Sequence, residues 1–248
     1  MALSDRALNQ TSAERVAPLR ILDTLADSER TARLVVHEIY TSLQGEVTRT
    51  GRLCTFIRLT GCHLRCRYCD TEHAFDDGKV MTISQVVARV LSAGAEMVQL
   101  TGGEPLLQPA SLPLIKDLID AGHEVVVETS GAVSTAKVDA RAVIVLDVKT
   151  PGSGEHDRHV TANIERLRPH DEVKFVICDE NDYQFAKTYT ETHQLDQRCA
   201  AVLFSPVEEP SQRGLDKAAL ASWIVRDRLP VRLQLQMHKV IWGEKRGV

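Results

Sequence analysis

From position 34 onward the chain alternates short β-branched and aliphatic runs with longer stretches of helical period. LVVHEI (34–39) and RLCTFIRLT (52–60) read as strands joined by a turn-rich loop, YTSLQGEVTRTG. Further runs follow at EMVQL (96–100), HEVVVE (123–128), AVIVLDV (142–148), EVKFVI (172–177), AAVLFS (200–205) and VRLQLQ (231–236). Between Ile83 and Leu91 the apolar positions are 83, 86, 87, 90 and 91, the spacing of one helix face. Stretches 111–121, 160–167, 181–193 and 214–228 read as helices too. Strands alternating with helices predict βα units, hence an α/β fold on a mainly parallel sheet. About six such units make a partial or closed (βα) barrel. Residues 1–33 are polar apart from Leu19, Ile21, Leu22 and Leu25. They read as a helical or partly ordered arm appended to one domain over 34–248.

A parallel sheet gathers ligands at the C-terminal ends of its strands. Four polar or glycine-rich clusters fall there: TGGEP after 96–100, ETSG after 123–128, DVKTPGSG after 142–148 and SPVEEP after 200–205. Equivalent positions predict one shared site on one face. The start of the helix near 180–182 reads as merely solvated.

Composition narrows the partners. Thirty basic against 34 acidic residues give a net charge of −4, which offers nothing to nucleic acid or an anionic membrane. No run approaches a membrane span, and the N-terminus has no signal-peptide core. The expectation is a cytoplasmic protein with reduced thiols.

That expectation makes the cysteines informative. Cys54, Cys178 and Cys199 stand alone among apolar residues and read as small buried hydrophobes. Cys62, Cys66 and Cys69 fall together in GCHLRCRYCD with the spacing C-x3-C-x2-C. Zinc needs a fourth ligand, which His63 or His73 offers. A redox pair leaves the third cysteine unexplained. Three thiolates on a [4Fe–4S] cluster leave one iron open to a non-protein ligand, such as the amino and carboxylate groups of S-adenosylmethionine.

At these residues the sequence resembles the radical S-adenosylmethionine superfamily. Tyr68 stands at the aromatic position of its cysteine motif, and TGGEP (101–105) is similar to its Gly-Gly-Glu segment. The run EIYTSLQGE (38–46), FIRLTGC (56–62), CDT (69–71), TGGEPLLQ (101–108), ETSG (128–131), EVKFVI (172–177) and QMHK (236–239) resembles the 7-carboxy-7-deazaguanine synthase family over about residues 34–242. The resemblance implies conversion of 6-carboxy-5,6,7,8-tetrahydropterin to 7-carboxy-7-deazaguanine with loss of ammonia, on the route to queuosine. It implies an abbreviated radical-SAM barrel, S-adenosylmethionine regenerated at each turnover, assistance from Mg2+, a flavodoxin- or ferredoxin-type reductant, and a homodimer.

The resemblance also implies residue roles. Cys62, Cys66 and Cys69 ligate the cluster. Tyr68, Cys69 and Asp70 line the adenosylmethionine site, Gly102, Gly103 and Glu104 hold its methionine end, and Asp147, Val148, Lys149 and Ser205 reach its ribose and carboxylate. Leu43, Gln44, Gly45, Glu46 and Thr101 meet the pterin, Arg58 its carboxylate, His238 the same pocket from the last strand, and Thr71 the Mg2+. Two features depart from the family pattern: Asp147-Val148-Lys149 stands where some members have Ser-Pro-Lys, and WGEKRGV follows the His238-Lys239 pair.

Overall fold

The computed structural model of the chain describes residues 17–208 and 214–248. Nine strands form one sheet: β1 (Arg33–Leu43), β2 (Leu53–Leu59), β3 (Lys79–Thr82), β4 (Met97–Gly102), β5 (Glu124–Thr129), β6 (Val143–Asp147), β7 (Glu172–Ile177), β8 (Ala201–Pro206) and β9 (Arg232–Leu233). Their spatial order is β3-β1-β2-β4-β5-β6-β7-β8-β9. β1 pairs antiparallel with β2 and β3, and every other pairing is parallel. The sheet is open, with β3 and β9 at its edges.

Eight α-helices are described: α1 (Asp27–Arg30), α2 (Ile83–Ala93), α3 (Ser111–Asp120), α4 (Ala162–Glu165), α5 (Glu180–His193), α6 (Leu195–Arg198), α7 (Lys217–Asp227) and α8 (Met237–Trp242). Helix α2 starts on a capping box: Thr82 accepts from the Gln85 backbone while the Gln85 side chain accepts from the Thr82 backbone. That reciprocal pairing satisfies two otherwise orphaned donors.

The central strands are buried on both faces, as parallel strands flanked by helices are. One face carries Leu100, Val127, Leu146, Phe175 and Phe204, packed with Leu114, Ile115, Leu118 and Tyr183 of the helices. The other carries Cys54, Phe56, Met97, Val126, Val145 and Leu203. Period two separates these two sets along β2, β4, β5, β6 and β8, and the second set shares its face with the site below.

The structure differs from the sequence reading at several elements. β1 runs on to Leu43, so the turn-rich loop begins at Gln44. The alternation of YTSL with a good partner strand outweighs its polar composition. β3 is a short edge strand that paired with β1 and lacked a long enough pattern to be seen. The run 231–236 yields only two strand residues, and His238 lies on α8, not on the last strand. Asp182 is buried, not solvated: it accepts from Thr150 Oγ1 at 2.9 Å, Gly152 N at 2.7 Å and Cys178 N at 3.0 Å. It ties the loop after β6 to α5. In the N-terminal arm, Ala17–Thr24 is a 3-10 turn and Leu22 is buried; residues 1–16 lie outside the described part.

Candidate active site

The side-chain phase that buries Met97, Val126 and Val145 continues toward the strands' C-terminal ends with polar residues. Arg58 follows Phe56 at two residues, Gln99 and Thr101 follow Met97, and Glu128 follows Val126. Asp147 follows Val145, Lys174 follows Glu172, and Ser205 follows Leu203. All seven line one cavity of about 870 Å³, at the upper end of the size usual for small-molecule sites. The three cysteines line it as well, as do Thr129, Ser130 and residues 206–208. The expected convergence of four loop clusters is what the sheet produces.

Two aromatic rings form part of the wall. Tyr40 and Phe56 stack at 5.0 Å with an 11° interplanar angle. Arg58 lies beside them, its Nε donating to Glu38 Oε1 at 2.8 Å and its Nη2 to Tyr40 Oη at 3.1 Å. Nη1 has no acceptor among the described residues, so part of the guanidinium fork is unspent.

A polar network crosses the cavity floor. The Lys174 ammonium ion-pairs with Glu46 and, at 3.1 Å, with Glu128 Oε1. Gln99 Nε2 donates to Glu128 Oε2 at 2.8 Å, Gln44 donates to Gln99, and Gln236 Nε2 donates to Glu46 Oε1 at 2.9 Å. Burial works to discharge Lys174, but the two carboxylates carry its pKa well above the ordinary value. Burial likewise opposes ionised Glu46, yet Lys174 and Gln236 hold its pKa below the usual carboxylate range. Lys174 and Glu46 therefore keep one another charged.

The cysteine loop is fixed from beneath. Buried Arg65 donates through Nη1 to the carbonyls of Cys62 and Leu64, both at 2.7 Å, and its guanidinium lies 4.0 Å from the Phe75 ring centroid. The Arg65 N–H reaches Glu155 Oε1 at 2.6 Å, and Arg67 N reaches Ser153 O at 3.0 Å. The glycine pair after β4 lets this loop approach. Gly102 has φ +134°, and a Cβ there would strike the Leu59 carbonyl; one at Gly103 would strike the Gly61 carbonyl and sit 3.0 Å from Cys62 Cβ. Backbone bonds close the seam, Gly103 N to Leu59 O at 3.1 Å and Glu104 N to Gly61 O at 2.9 Å.

The cysteines fit an iron–sulfur cluster better than a single zinc. Four thiolates about 2.3 Å from one zinc lie about 3.8 Å from each other. Among the described residues the only His, Cys, Asp or Glu trio with donors within 4.8 Å of one another is His37, Glu38 and His73; at least one pair of the three sulfurs lies further apart than that. Burial pushes the Cys62 thiol up to about 12 and raises Cys66 and Cys69 too, so a cation is needed to make them thiolates. Tyr68 Oη and Asp147 Oδ1 are buried without a hydrogen-bond partner beside the same loop. Buried orphans of that kind call for a ligand. Lys149 pairs with Asp147 Oδ2 at 2.8 Å and lies 5.8 Å from the Tyr68 ring centroid.

Not every expected residue faces the cavity. Glu104 is wholly buried with both oxygens taken, Oε1 by Leu106 N and Thr129 Oγ1, Oε2 by the Ser130 N–H and hydroxyl. It shapes the loops after β4 and β5 and has no oxygen left to hold a methionine amino group. Val148 is also buried away from the cavity, its N–H donating to Lys174 O at 2.9 Å. Leu43, Gln44, Gly45, Glu46, Tyr68, Asp70, Thr71, Thr101, Gly102, Gly103 and Ser205 do line it. So does His238, although from α8; its ring fills the space of a Gly45 side chain. Thr71 Oγ1 donates to Asp70 Oδ1 at 2.8 Å and caps no backbone N–H.

The comparisons agree with this architecture. Residues 56–150 match the model of the radical SAM superfamily. A 7-carboxy-7-deazaguanine synthase of Koribacter versatilis is 44% identical over 224 residues, 86% of this chain and 99% of the relative. One of Chlorobaculum tepidum is 41% identical over 225 residues, 88% of this chain and 98% of the relative. The chain belongs to the 7-carboxy-7-deazaguanine synthase family. The crystal structure of QueE from Escherichia coli has the same fold: TM-score 0.69 at 23% identity, over 83% of this chain and 95% of that one.

Within this 7-carboxy-7-deazaguanine synthase fold, sequence reading missed residues that the cavity uses. Glu38, Tyr40, Gln99, Lys174 and Gln236 line it, as do residues 243–248 of the tail. Counting back two from Thr101 on β4 finds Gln99, and Lys174 stands opposite Asp147 in the β6–β7 register. Gln236 and the tail are reached only through tertiary contacts.

Proposed function

We propose that the chain converts 6-carboxy-5,6,7,8-tetrahydropterin to 7-carboxy-7-deazaguanine with loss of ammonia, in 7-deazapurine biosynthesis. The observation that carries this reading is a single cavity joining the three cysteines to Arg58, two stacked rings and a charge-paired polar floor. When bound, a [4Fe–4S] cluster on Cys62, Cys66 and Cys69 with S-adenosylmethionine supplies the radical initiator. The protein's part is orientation. Gly102 and Gly103 offer backbone at close approach, while Asp147, Lys149, Tyr68 and Ser205 meet the adenosylmethionine. Gln44, Glu46, Gln99 and Glu128 present donors and acceptors to the pterin edge. Tyr40 and Phe56 cover an apolar face, and Arg58 takes the carboxylate. Hydrogen transfer between carbon atoms depends on this fixed geometry more than on acid strength. Anaerobic incubation of the reconstituted protein with the carboxypterin and S-adenosylmethionine tests the reading. Deazaguanine product supports it, and cleavage of S-adenosylmethionine with the pterin untouched overturns it.

Arg58→Lys weakens binding of the carboxypterin by roughly tenfold, because an ammonium cannot reproduce a planar two-pronged grip. The variant keeps its cluster, so substrate titration followed with unchanged iron content checks the role. Unaltered affinity shows that Arg58 serves only Glu38 and Tyr40.

Mg2+ enters the proposal through Thr71. By donating its proton to Asp70, the hydroxyl leaves its lone pairs for a cation. Mg2+ takes few protein oxygens and fills its shell from water and substrate. Thr71→Val therefore loses most of the Mg2+ stimulation of turnover and Thr71→Ser retains it, both with parental cluster spectra. Equal stimulation in the valine variant removes Thr71 from the metal. The same reading includes a homodimer in the cytoplasm reduced by a flavodoxin or ferredoxin; among the described residues no helix is long and apolar enough to cross a membrane.

A further inference from the structure

A second cluster of ligating side chains lies at the cavity's edge, and only Glu38, through Arg58, touches the chemistry above. One donor atom each from His37, Glu38 and His73 lies within 4.8 Å of the others. His37 and Glu38 are neighbours on β1, and neighbours on a regular strand point to opposite faces. Here the register slips: Val36 faces Leu59, but Glu38 faces Arg58, so His37 is an extra residue in the ladder. Such a bulge re-aims side chains, and this one brings His37 and Glu38 to the same side. His73 comes from the short turn Glu72–Ala74 that directly follows the cysteine loop. The two imidazole rings are 5.1 Å apart at a 57° tilt.

The hydrogen bonds around the trio leave metal-binding atoms available. His37 Nδ1 lies 2.9 Å from the Asp77 carbonyl. A carbonyl only accepts, so Nδ1 carries the proton and Nε2 keeps its lone pair. An imidazole held at one nitrogen by a carbonyl, with the other free, is the usual setting of a histidine ligand. Glu38 gives Oε1 to Arg58 and has a second oxygen. We propose that His37, Glu38 and His73 bind one divalent transition-metal ion of the Zn2+ class. Two imidazoles and a carboxylate suit zinc, cobalt or nickel over Mg2+, which prefers oxygen alone. Three protein ligands leave a coordination position open. Glu38 and His73 both line the central cavity, so an ion there borders the substrate's space. It also shares Glu38 with Arg58, so the metal and the guanidinium compete for one carboxylate.

Co2+ is the probe, since it shares the ligand preferences of Zn2+ and is counted separately from iron. The anaerobically reconstituted protein is dialysed against Co2+ in excess Mg2+, and cobalt and iron are measured per chain. One cobalt per chain is expected. His37→Ala and His73→Ala each weaken it by more than about a hundredfold, beyond the loss of an outer partner alone, with iron unchanged. Arg58→Ala tightens it severalfold by removing the competing cation, a response that a chance pair of surface histidines would not give. Cobalt held equally well by the doubly substituted His37→Ala/His73→Ala protein, or no cobalt on the parent, overturns the site. A failed cluster would appear in the iron figure instead, so the two proposals fail separately.

Discussion

Cys62→Ala, Cys66→Ala and Cys69→Ala each reduce bound iron from about four per chain to near zero and abolish S-adenosylmethionine cleavage. The three lie on one loop whose backbone is held by Arg65, Glu155, Ser153 and the Gly102-Gly103 seam. Replacing one thiolate leaves the others in position, with two protein ligands where the cluster needs three. Neither His63 nor Thr71 offers a substitute of the same softness. Cys54→Ala and Cys199→Ala form the control. Both side chains are buried, Cys54 against Phe56 and Met97 on the lower half of the same face. Their loss costs about 1–3 kcal/mol from cavity formation, with cluster content and cleavage intact. Iron analysis and the yield of 5′-deoxyadenosine on the five variants measure both arms. Parental activity in Cys66→Ala would sink the assignment, and loss of iron in Cys54→Ala would show that this cysteine had been misread as packing.

The sequence carried the parallel sheet because β4, β6, β7 and β8 each show a short apolar run followed by a stretch of helical period, two signals that reinforce one another. The site's location followed, since loops at equivalent strand ends must meet. Glu104 was harder. Its position in TGGEP marks it, but the same motif position serves either a ligand or the loop, and only the four donors around its carboxylate decide. Asp182 looked like an ordinary acidic helix start; the Thr150, Gly152 and Cys178 groups that bury it come from a loop about thirty residues earlier and the turn beside it. His238 was assigned to a strand because LQLQ alternates, whereas β9 lost its partner after Leu233 and the chain turned into α8. Lys174 illustrates the general difficulty. A lysine inside the run EVKFVI does not announce its burial, but β7 lies between β6 and β8, and its polar phase faces the cavity.

Lys174→Met destabilises the folded protein by about 3–5 kcal/mol, the usual cost of stranding a buried partner charge. Methionine keeps the length and apolar stem but removes the ammonium. The Lys174, Glu46 and Glu128 side chains are 7%, 15% and 21% exposed, so water cannot replace the lost charge fully. Gln236 and Gln99 still donate to the two carboxylates, which moderates the loss without neutralising it. The sign of the pH dependence separates this explanation from simple loss of packing. In the parent, Glu46 is held below its ordinary pKa, so its contribution is present above the unfolded value and fades as pH falls through the folded one. Without Lys174, burial dominates and lifts Glu46 above its unfolded value. The folded state then binds the extra proton, and stability falls as pH rises. Urea midpoints at pH 5.5 and 8 should therefore show the variant relatively stronger at the lower pH, the reverse of this site's effect in the parent. Adding Glu46→Gln to Lys174→Met removes one stranded charge, recovering part of the stability and flattening the slope. A variant whose deficit is the same at both pH values, and which Glu46→Gln does not relieve, would show that Lys174 fills space on the cavity floor and that its charge holds nothing in place.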